Sequence, residues 1–342
     1  MFKPPLHQVL VTQRFFDADS LAYLQANGCE VTVASLETGT ADSDLSQAQL
    51  IKLLANTDGW IVGHAPITAS LLAALPRLQV IARRGVGYER VDVQAVEAAG
   101  KVATIAVGGN DASVADHAVA LMLALGRRLQ ECRQRLQAGD WSIPLGSDLC
   151  GKTVGILGLG RIGRGVAKRV AGFDARVLVH TPNPDWAYGL ENGVRYVDFD
   201  TLLAESDYLS LHAPLVAGAC FLIDARALER MKPGAVLINT ARGGLVDDRA
   251  LLHALQDGVI AGAGLDVFVS ENDPTYRATT AALLALPNVV ATPHSGASTH
   301  EGLQRTNRIA AQCVVAMLNG KTPPAACVIA DGRLPLSTEE RP

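Results

Sequence analysis

The chain has 342 residues, 49% of them hydrophobic and 19% charged, with a formal net charge of −4. That length suits two domains, each able to bury its own core, and the composition excludes a disordered chain. Lys and Arg are scattered and form no basic run, which argues against nucleic acid as a partner.

Strands are predicted over residues 9–12, 31–33, 59–63 and 80–82, alternating with helices over 20–27, 47–54, 69–75 and 92–99. Gly28 ends the first helix. Such alternation is the pattern of a doubly wound parallel sheet. Residues 113–137 then carry one long helical pattern, with apolar Val114, Ala118, Leu121, Leu125 and Leu129. Ser113 is its expected N-cap, with Asp116 at the third helical position. Few polar residues interrupt its first half, so burial nearly all round is expected, between domains or between subunits.

The most informative stretch is the apolar run 153–157 entering Gly158-Leu159-Gly160-Arg161-Ile162-Gly163, with a helix expected over 164–170. This is a G-x-G-x-x-G turn in its strand–turn–helix context. Gly158 permits the tight turn, Gly160 lets backbone amides approach a pyrophosphate, and Gly163 lets the helix lie close on the strand. Unpaired N–H groups at the helix N-terminus then face the anion. Further strands are predicted over 177–179, 208–211, 235–238, 262–265 and 289–291, and helices over 201–204, 225–230, 249–256 and 300–318.

Ligands of parallel sheets bind at the carboxyl ends of the strands. The residues standing there are the glycine turn, Thr181, His212-Ala213-Pro214, the run 239–242, the run 266–271 and His294. Among them Arg242 can hold a carboxylate or carbonyl oxygen through two directed N–H groups. His294 can exchange a proton near neutral pH, and Glu271 can bond its second ring nitrogen and raise its pKa.

The six cysteines (Cys29, Cys132, Cys150, Cys220, Cys313, Cys327) show no C-x-x-C and no metal-spaced His. They read as buried free thiols in a reducing compartment, with no metal site. The opening Met1-Phe2-Lys3-Pro4-Pro5 lacks a signal peptide's apolar stretch, and no apolar run reaches the ~18 residues of a membrane span. A cytoplasmic protein without a membrane partner is expected.

Taken together the segments resemble the D-isomer-specific 2-hydroxyacid dehydrogenase family, in its short, phosphoglycerate dehydrogenase-like branch. The match rests on the glycine turn, Asn239-Thr240-Ala241-Arg242-Gly243-Gly244-Leu245-Val246-Asp247, Gly264-Leu265-Asp266-Val267-Phe268 with Glu271, and Thr292-Pro293-His294. The resemblance implies an α/β fold in which a Rossmann cofactor domain (106–294) is inserted into a flavodoxin-like substrate domain (1–105 with 295–330), followed by a polar tail (331–342). A cleft between the domains would close over the ligands, and the long helix after Ser113 would help build a homodimer.

By the same resemblance the catalytic set is Arg242, Glu271 and His294. NAD(H) or NADP(H) would lie on Gly158, Gly160, Arg161, Ile162, Gly163, Thr181, His212, Pro214, Thr240, Ala241, Arg242, Asp266, His294 and Gly296, with Asp266 against the nicotinamide. A small 2-oxo or D-2-hydroxy acid would meet Arg242, His64 and the backbone of Arg84, Val86 and Gly87, a glycine turn suited to anions.

Two departures bear on specificity. NAD-preferring members end the second cofactor-domain strand on an acidic residue, where this chain has Thr181, and no Arg follows in Pro182-Asn183-Pro184 to attract a 2′-phosphate. Phosphoglycerate-oxidising relatives place an arginine where Val62-Gly63-His64-Ala65 offers His64, although Gly296-Ala297-Ser298-Thr299 resembles them. Phosphoglycerate dehydrogenase and a different class, an NAD(H)-sensing corepressor-like scaffold, stay open beside a general 2-oxoacid reductase; formate or phosphite oxidation fits less well. Ending at Pro342, the chain is expected to carry no regulatory domain. Thr181→Asp is expected to raise the ratio of kcat/KM with NADH to that with NADPH. An unchanged ratio would remove Thr181 from cofactor choice.

Overall fold

The computed structural model describes residues 6–37, 40–215 and 221–333. In chain order it contains β1 (His7–Val11), α1 (Ala18–Ala26), β2 (Cys29–Val33), α2 (Gln47–Leu54), β3 (Gly59–Val62), α3 (Ala69–Ala73), β4 (Val80–Arg83), α4 (Val93–Ala98) and β5 (Val102–Ile105). There follow α5 (Asp111–Gly126), α6 (Leu129–Gln137), β6 (Thr153–Leu157), α7 (Arg161–Ala171), β7 (Arg176–His180), α8 (Trp186–Asn192), β8 (Val194–Tyr196), α9 (Phe199–Glu205) and β9 (Tyr208–Leu211). The remainder is α10 (Ala225–Glu229), β10 (Val236–Asn239), α11 (Asp248–Gln256), β11 (Gly262–Leu265), α12 (Arg277–Leu284), β12 (Val289–Ala291), α13 (His300–Leu318) and β13 (Val328–Asp331). The chain is mixed α/β with two sheets, each in its own compact unit: Met1–Asn110 with Thr299–Pro342, and Asp111–Ser298.

In the first unit the sheet order is β13-β5-β4-β3-β1-β2. Five strands are parallel and β13 lies antiparallel on the β5 edge. One face buries Val9, Val11, Ile61 and Val80 with Leu24 of α1 and Val314 of α13. The other buries Leu10, Trp60, Val62 and Ile81 with Leu50 and Leu54 of α2, Leu71 of α3 and Val96 of α4. Both faces are covered, so these strands read as short continuous apolar runs.

The second unit has the order β12-β11-β10-β9-β6-β7-β8, every pairing parallel. Apolar residues of α5 and α7 cover one face and those of α9 to α12 the other. β6 has β7 on one side and β9 on the other. Strand order reverses there, which opens a crevice at the carboxyl ends of β6 and β9.

Several sequence expectations are corrected. The single helix over 113–137 is two helices, because the Gly126 carbonyl accepts from Ser147 N–H at 2.7 Å instead of continuing the helical ladder, and Arg128 turns left-handed at φ 51°. Ser113 is no N-cap: α5 begins at Asp111, an acidic residue suited to a helix N-terminus, and Ser113 is buried within the first turn. Cys150 is exposed, and Cys132, on α6, which buries none of its residues, is half-buried, whereas Cys29, Cys313 and Cys327 are buried.

Asp331 closes strand β13 and starts no tail; residues 334–342 of the expected tail, and Cys220, lie outside the described residues. The units part at 110/111 and 298/299, not at 105 and 294. Ala106 N–H bonds Gly85 and the Gly109 carbonyl accepts from Arg305 within the first unit, while Ser295 and Gly296 donate to Asp266 within the second. Elements absent from the sequence reading are β5, α8, β8, α12 and β13. β8 has three residues and α12 buries only Leu283, so neither carries a strong periodic signal.

A Cβ on Gly163 would stand 2.2 Å from the Gly158 carbonyl oxygen, so α7 meets the turn backbone to backbone. Gly163→Val is therefore expected to destabilise the second unit by about 1–3 kcal/mol or more, read as a lower unfolding midpoint. An unchanged midpoint would contradict the close approach.

Candidate active site

The glycine turn leaves β6 at the strand-order reversal. Gly158 takes φ +95°, and a Cβ there would lie 2.8 Å from the His212 carbonyl carbon and the Ala213 nitrogen at the end of β9. Gly160 caps α7, and its missing Cβ faces open space. Packing within the chain does not explain that glycine; the space suits an anion approaching the first amides of an 11-residue helix. Arg161 opens α7 with its Nε 3.8 Å from Asp111 Oδ2, and Ile162 beside it is half-buried.

Just past β9 and β10 two buried polar atoms have no partner among the described residues: His212 Nδ1, in the segment against Gly158, and Thr240 Oγ1. His212 Nε2 is 2.8 Å from Ser210 Oγ, and burial pushes the imidazole down to about 4, so it is neutral at physiological pH. Orphan groups beside an open helix N-terminus fit a polar dinucleotide better than a packed core. Pro214 is exposed and Thr181 half-exposed. Four residues past Thr181, Asp185 pairs with Arg164 at 2.8 Å, and that guanidinium lies 4.3 Å over the Tyr188 ring.

Arg242 stands just beyond β10. The buried Asn239 side chain staples this loop: its Nδ2 donates to the Arg242 carbonyl (2.9 Å) and its Oδ1 accepts from Ala241 N–H (3.1 Å). Arg242 Nη1 donates to the Ala241 carbonyl at 2.7 Å. A Cβ on Gly243 would lie 2.2 Å from the Phe268 carbonyl, so only glycine lets this loop pass against the segment leading to Glu271.

His294 Nδ1 donates to Glu271 Oε2 at 2.7 Å. Glu271 is itself fixed, because its Oε1 accepts from Phe268 N–H at 2.8 Å, and Asp248 Oδ2 accepts from Val269 N–H at 3.0 Å in the same segment. Burial pushes Asp248 up to about 6, with Asp247 and Glu271 adding to the rise. The hydrogen bond to Glu271 raises the His294 pKa; burial and Arg242 oppose that, and the charges of Glu271 and Asp266 reinforce it. Nδ1 keeps its proton in this geometry, so proton exchange falls to Nε2.

Asp266, 2% exposed, anchors the loop that carries His294. Its Oδ1 accepts from Thr292 Oγ1 (2.5 Å) and Ser295 N–H (2.7 Å), its Oδ2 from Gly296 N–H (2.9 Å), and its carbonyl from His294 N–H (2.8 Å). A Cβ on Gly296 would stand 2.9 Å from Oδ2. His294 itself takes φ 52°, a conformation that side-chain-bearing residues adopt where their surroundings impose it.

The residues expected to meet substrate away from Arg242 lie in the first unit. Asp42, buried, accepts from Thr12 Oγ1 (3.0 Å), Gly63 N–H (2.6 Å) and His64 N–H (2.8 Å). Arg84 Nη1 donates to the Arg14 carbonyl at 3.2 Å. Burial lowers Arg84 to about 10 while Asp42 raises it and Arg83 lowers it, which leaves a cation at neutral pH. Gly85 at φ +150° turns the chain toward the half-buried Val86 and Gly87. These groups cluster at the carboxyl ends of β1, β3 and β4.

Sequence reasoning missed Asp42, Asn239, Asp248, Thr292 and His117, which act on backbone or on other side chains and match no spacing rule. Among the described residues no group of three or more His, Cys, Asp or Glu could hold a metal ion, and no helix is long and apolar enough to cross a membrane.

A family model for the D-isomer specific 2-hydroxyacid dehydrogenase, NAD binding domain, matches residues 119–296. D-3-phosphoglycerate dehydrogenase of Mycobacterium leprae is 40% identical over 84% of this chain and 54% of its own. Glyoxylate reductase of Thermococcus litoralis is 40% identical over 75% of this chain and 79% of its own. The chain thus spans about half the length of the phosphoglycerate dehydrogenases it matches. Among solved structures, the D-lactate dehydrogenase of Aquifex aeolicus with NAD and lactic acid superposes at a TM-score of 0.77, with 28% identity, over 92% of this chain and 96% of that one.

Glu271→Gln should move the titration of His294 to lower pH, because the carboxylate that favours the imidazolium is gone. Histidine NMR reads this directly, and an unmoved titration would contradict the pairing.

Proposed function

Because the chain belongs to the D-isomer specific 2-hydroxyacid dehydrogenase family, we propose that it is an NAD(P)-dependent oxidoreductase interconverting a small 2-oxo acid and its D-2-hydroxy acid. The observation that carries the proposal is the 2.7 Å His294–Glu271 pair, with Arg242 near enough for its charge to act on the imidazole, in the unit that also bears the glycine turn.

The bound nicotinamide cofactor would supply or accept hydride at the carbon bearing the oxygen. Arg242 orients the acid through its guanidinium. In reduction the His294 imidazolium gives the Nε2 proton to the carbonyl oxygen, and Glu271 stabilises the imidazolium beforehand; in oxidation neutral His294 takes the hydroxyl proton. Since the pair raises the His294 pKa, the proton-donating form persists to higher pH than in a solvated histidine, and reduction is lost as pH rises through that raised value. The amides of the turn at Arg84, Val86 and Gly87 and the His64 side are assigned to the acid's carboxylate and substituent. The cofactor is assigned to the residues around Gly158–Gly163 with Thr181, His212, Pro214, Thr240, Ala241, Asp266 and Gly296.

We assign the partner of this chain to a second copy of itself. α6 buries nothing yet presents Leu129 and Leu136, and the segment after it exposes Trp141 (82%), Ile143 (93%) and Leu145 (89%). Several large apolar side chains exposed within one stretch of chain support an interaction surface there.

The first test is a panel of 2-oxo acids (glyoxylate, hydroxypyruvate, pyruvate, 2-oxoisocaproate, 2-oxoglutarate and phosphohydroxypyruvate), each with NADH and NADPH. Saturable turnover of at least one acid is expected, with His294→Ala lowering kcat by roughly 10²–10⁴ while cofactor binding persists. Cofactor binding without turnover of any acid would contradict the proposal. For the dimer, Ile143→Glu with Leu145→Glu should halve the mass measured by light scattering, and a wild-type chain already monomeric would contradict it.

A further inference from the structure

A second histidine stands behind His294, and the chemistry above leaves it unused. His117, on α5 of the same unit, places Nε2 2.8 Å from Thr292 Oγ1 and 3.6 Å from Asp266 Oδ1. Thr292 Oγ1 is in turn 2.5 Å from Asp266 Oδ1. A hydroxyl has a single proton, so the direction of these bonds can be worked out.

Burial works to raise the Asp266 carboxyl, but the nearby His117 ring, 3.6 Å from Oδ1, and the hydrogen bonds from Thr292, Gly296 and Ser295 outweigh it and hold the group below the ordinary carboxylate range. Asp266 is therefore ionised at neutral pH and can only accept. Thr292 gives its proton to Asp266, and its oxygen must accept from His117. The imidazole consequently carries a proton on Nε2, and the chain runs from ring N–H to hydroxyl to carboxylate.

We propose that His117 is a positioning residue for His294: by donating from Nε2 to Thr292 Oγ1 it commits the threonine proton to Asp266, the carboxylate that fixes the corner from which His294 projects. This rests on the reading of His294 as the acid/base. Asp266 holds that corner on both sides, its carbonyl accepting from His294 N–H and its carboxylate from Ser295 and Gly296. The room is tight, since a Cβ on Gly296 would lie 2.9 Å from Asp266 Oδ2 and 3.4 Å from His117 Cδ2. His117 thus acts on the left-handed His294 through Thr292 and Asp266.

The charged groups acting on His294 are Glu271 and Asp266, which favour the imidazolium, and Arg242, which opposes it. Without the His117 donor, Thr292 can turn away from Asp266. The corner that Asp266 fixes then loosens, and His294 lines up less well with the Glu271 carboxylate, whose hydrogen bond does most to raise its pKa. Removal of the donor therefore lowers the pH at which His294 titrates.

The test is NMR of the full chain carrying 15N-labelled histidine, with the two signals assigned by their loss in His117→Phe and His294→Ala. At neutral pH His117 should show a protonated Nε2. The His294 titration should fall by about half a pH unit or more in His117→Phe and return toward wild type in His117→Gln, whose amide N–H can reach the same oxygen. A His117 protonated on Nδ1 alone, an unmoved His294 titration in folded His117→Phe, or equal shifts in both variants would each overturn the proposal. Should His117→Phe fail to fold, the wild-type tautomer decides. None of these readings needs turnover, so failure of His294 as acid/base appears separately, as undiminished reduction by His294→Ala.

Discussion

The candidate site hangs on a buried carboxylate. Asp266 directly follows β11 and receives the Thr292 hydroxyl and two successive amides, Ser295 and Gly296, on either side of the corner that carries His294. A buried charge left unpaired is costly, whereas one that accepts several hydrogen bonds fixes whatever donates them. The left-handed backbone of His294, its alignment with Glu271 and the direction of its pKa shift all follow from that anchor.

The first unit uses the same device. Trp60 Nε1 donates to Thr12 Oγ1 at 3.0 Å, Thr12 Oγ1 donates to the buried Asp42, and Asp42 accepts the successive amides of Gly63 and His64. In both units a ring N–H, a threonine hydroxyl and an aspartate hold a loop at the carboxyl end of a parallel strand. An indole can only donate, whereas an imidazole can titrate. The unit bearing the proposed proton-transfer residue is the one whose device ends in a histidine.

Much of this architecture can be read from the chain. Strands buried on both faces of a parallel sheet appear as short apolar runs, and glycines at Gly28 and Gly158 punctuate them at positive φ. The glycine turn, Arg242, Glu271 and His294 are legible because each lies in the segment that leaves the carboxyl end of a strand. The anchors are not. Asp42 sits in a short turn between elements, and His117, Asp266 and Thr292 meet only after α5, β11 and β12 have packed. The break at Gly126 is equally hidden, because the atom that ends the helix is the amide of Ser147, contributed from farther along the chain.

Hydride transfer from the nicotinamide to the 2-carbon of the acid can be followed by isotope. Cofactor deuterated at C4 of the reduced nicotinamide would be incubated with a 2-oxo acid, and the product examined for label and configuration. Deuterium at C2 of a D-2-hydroxy acid is the expected result. An unlabelled product, or one of L configuration, would contradict the account.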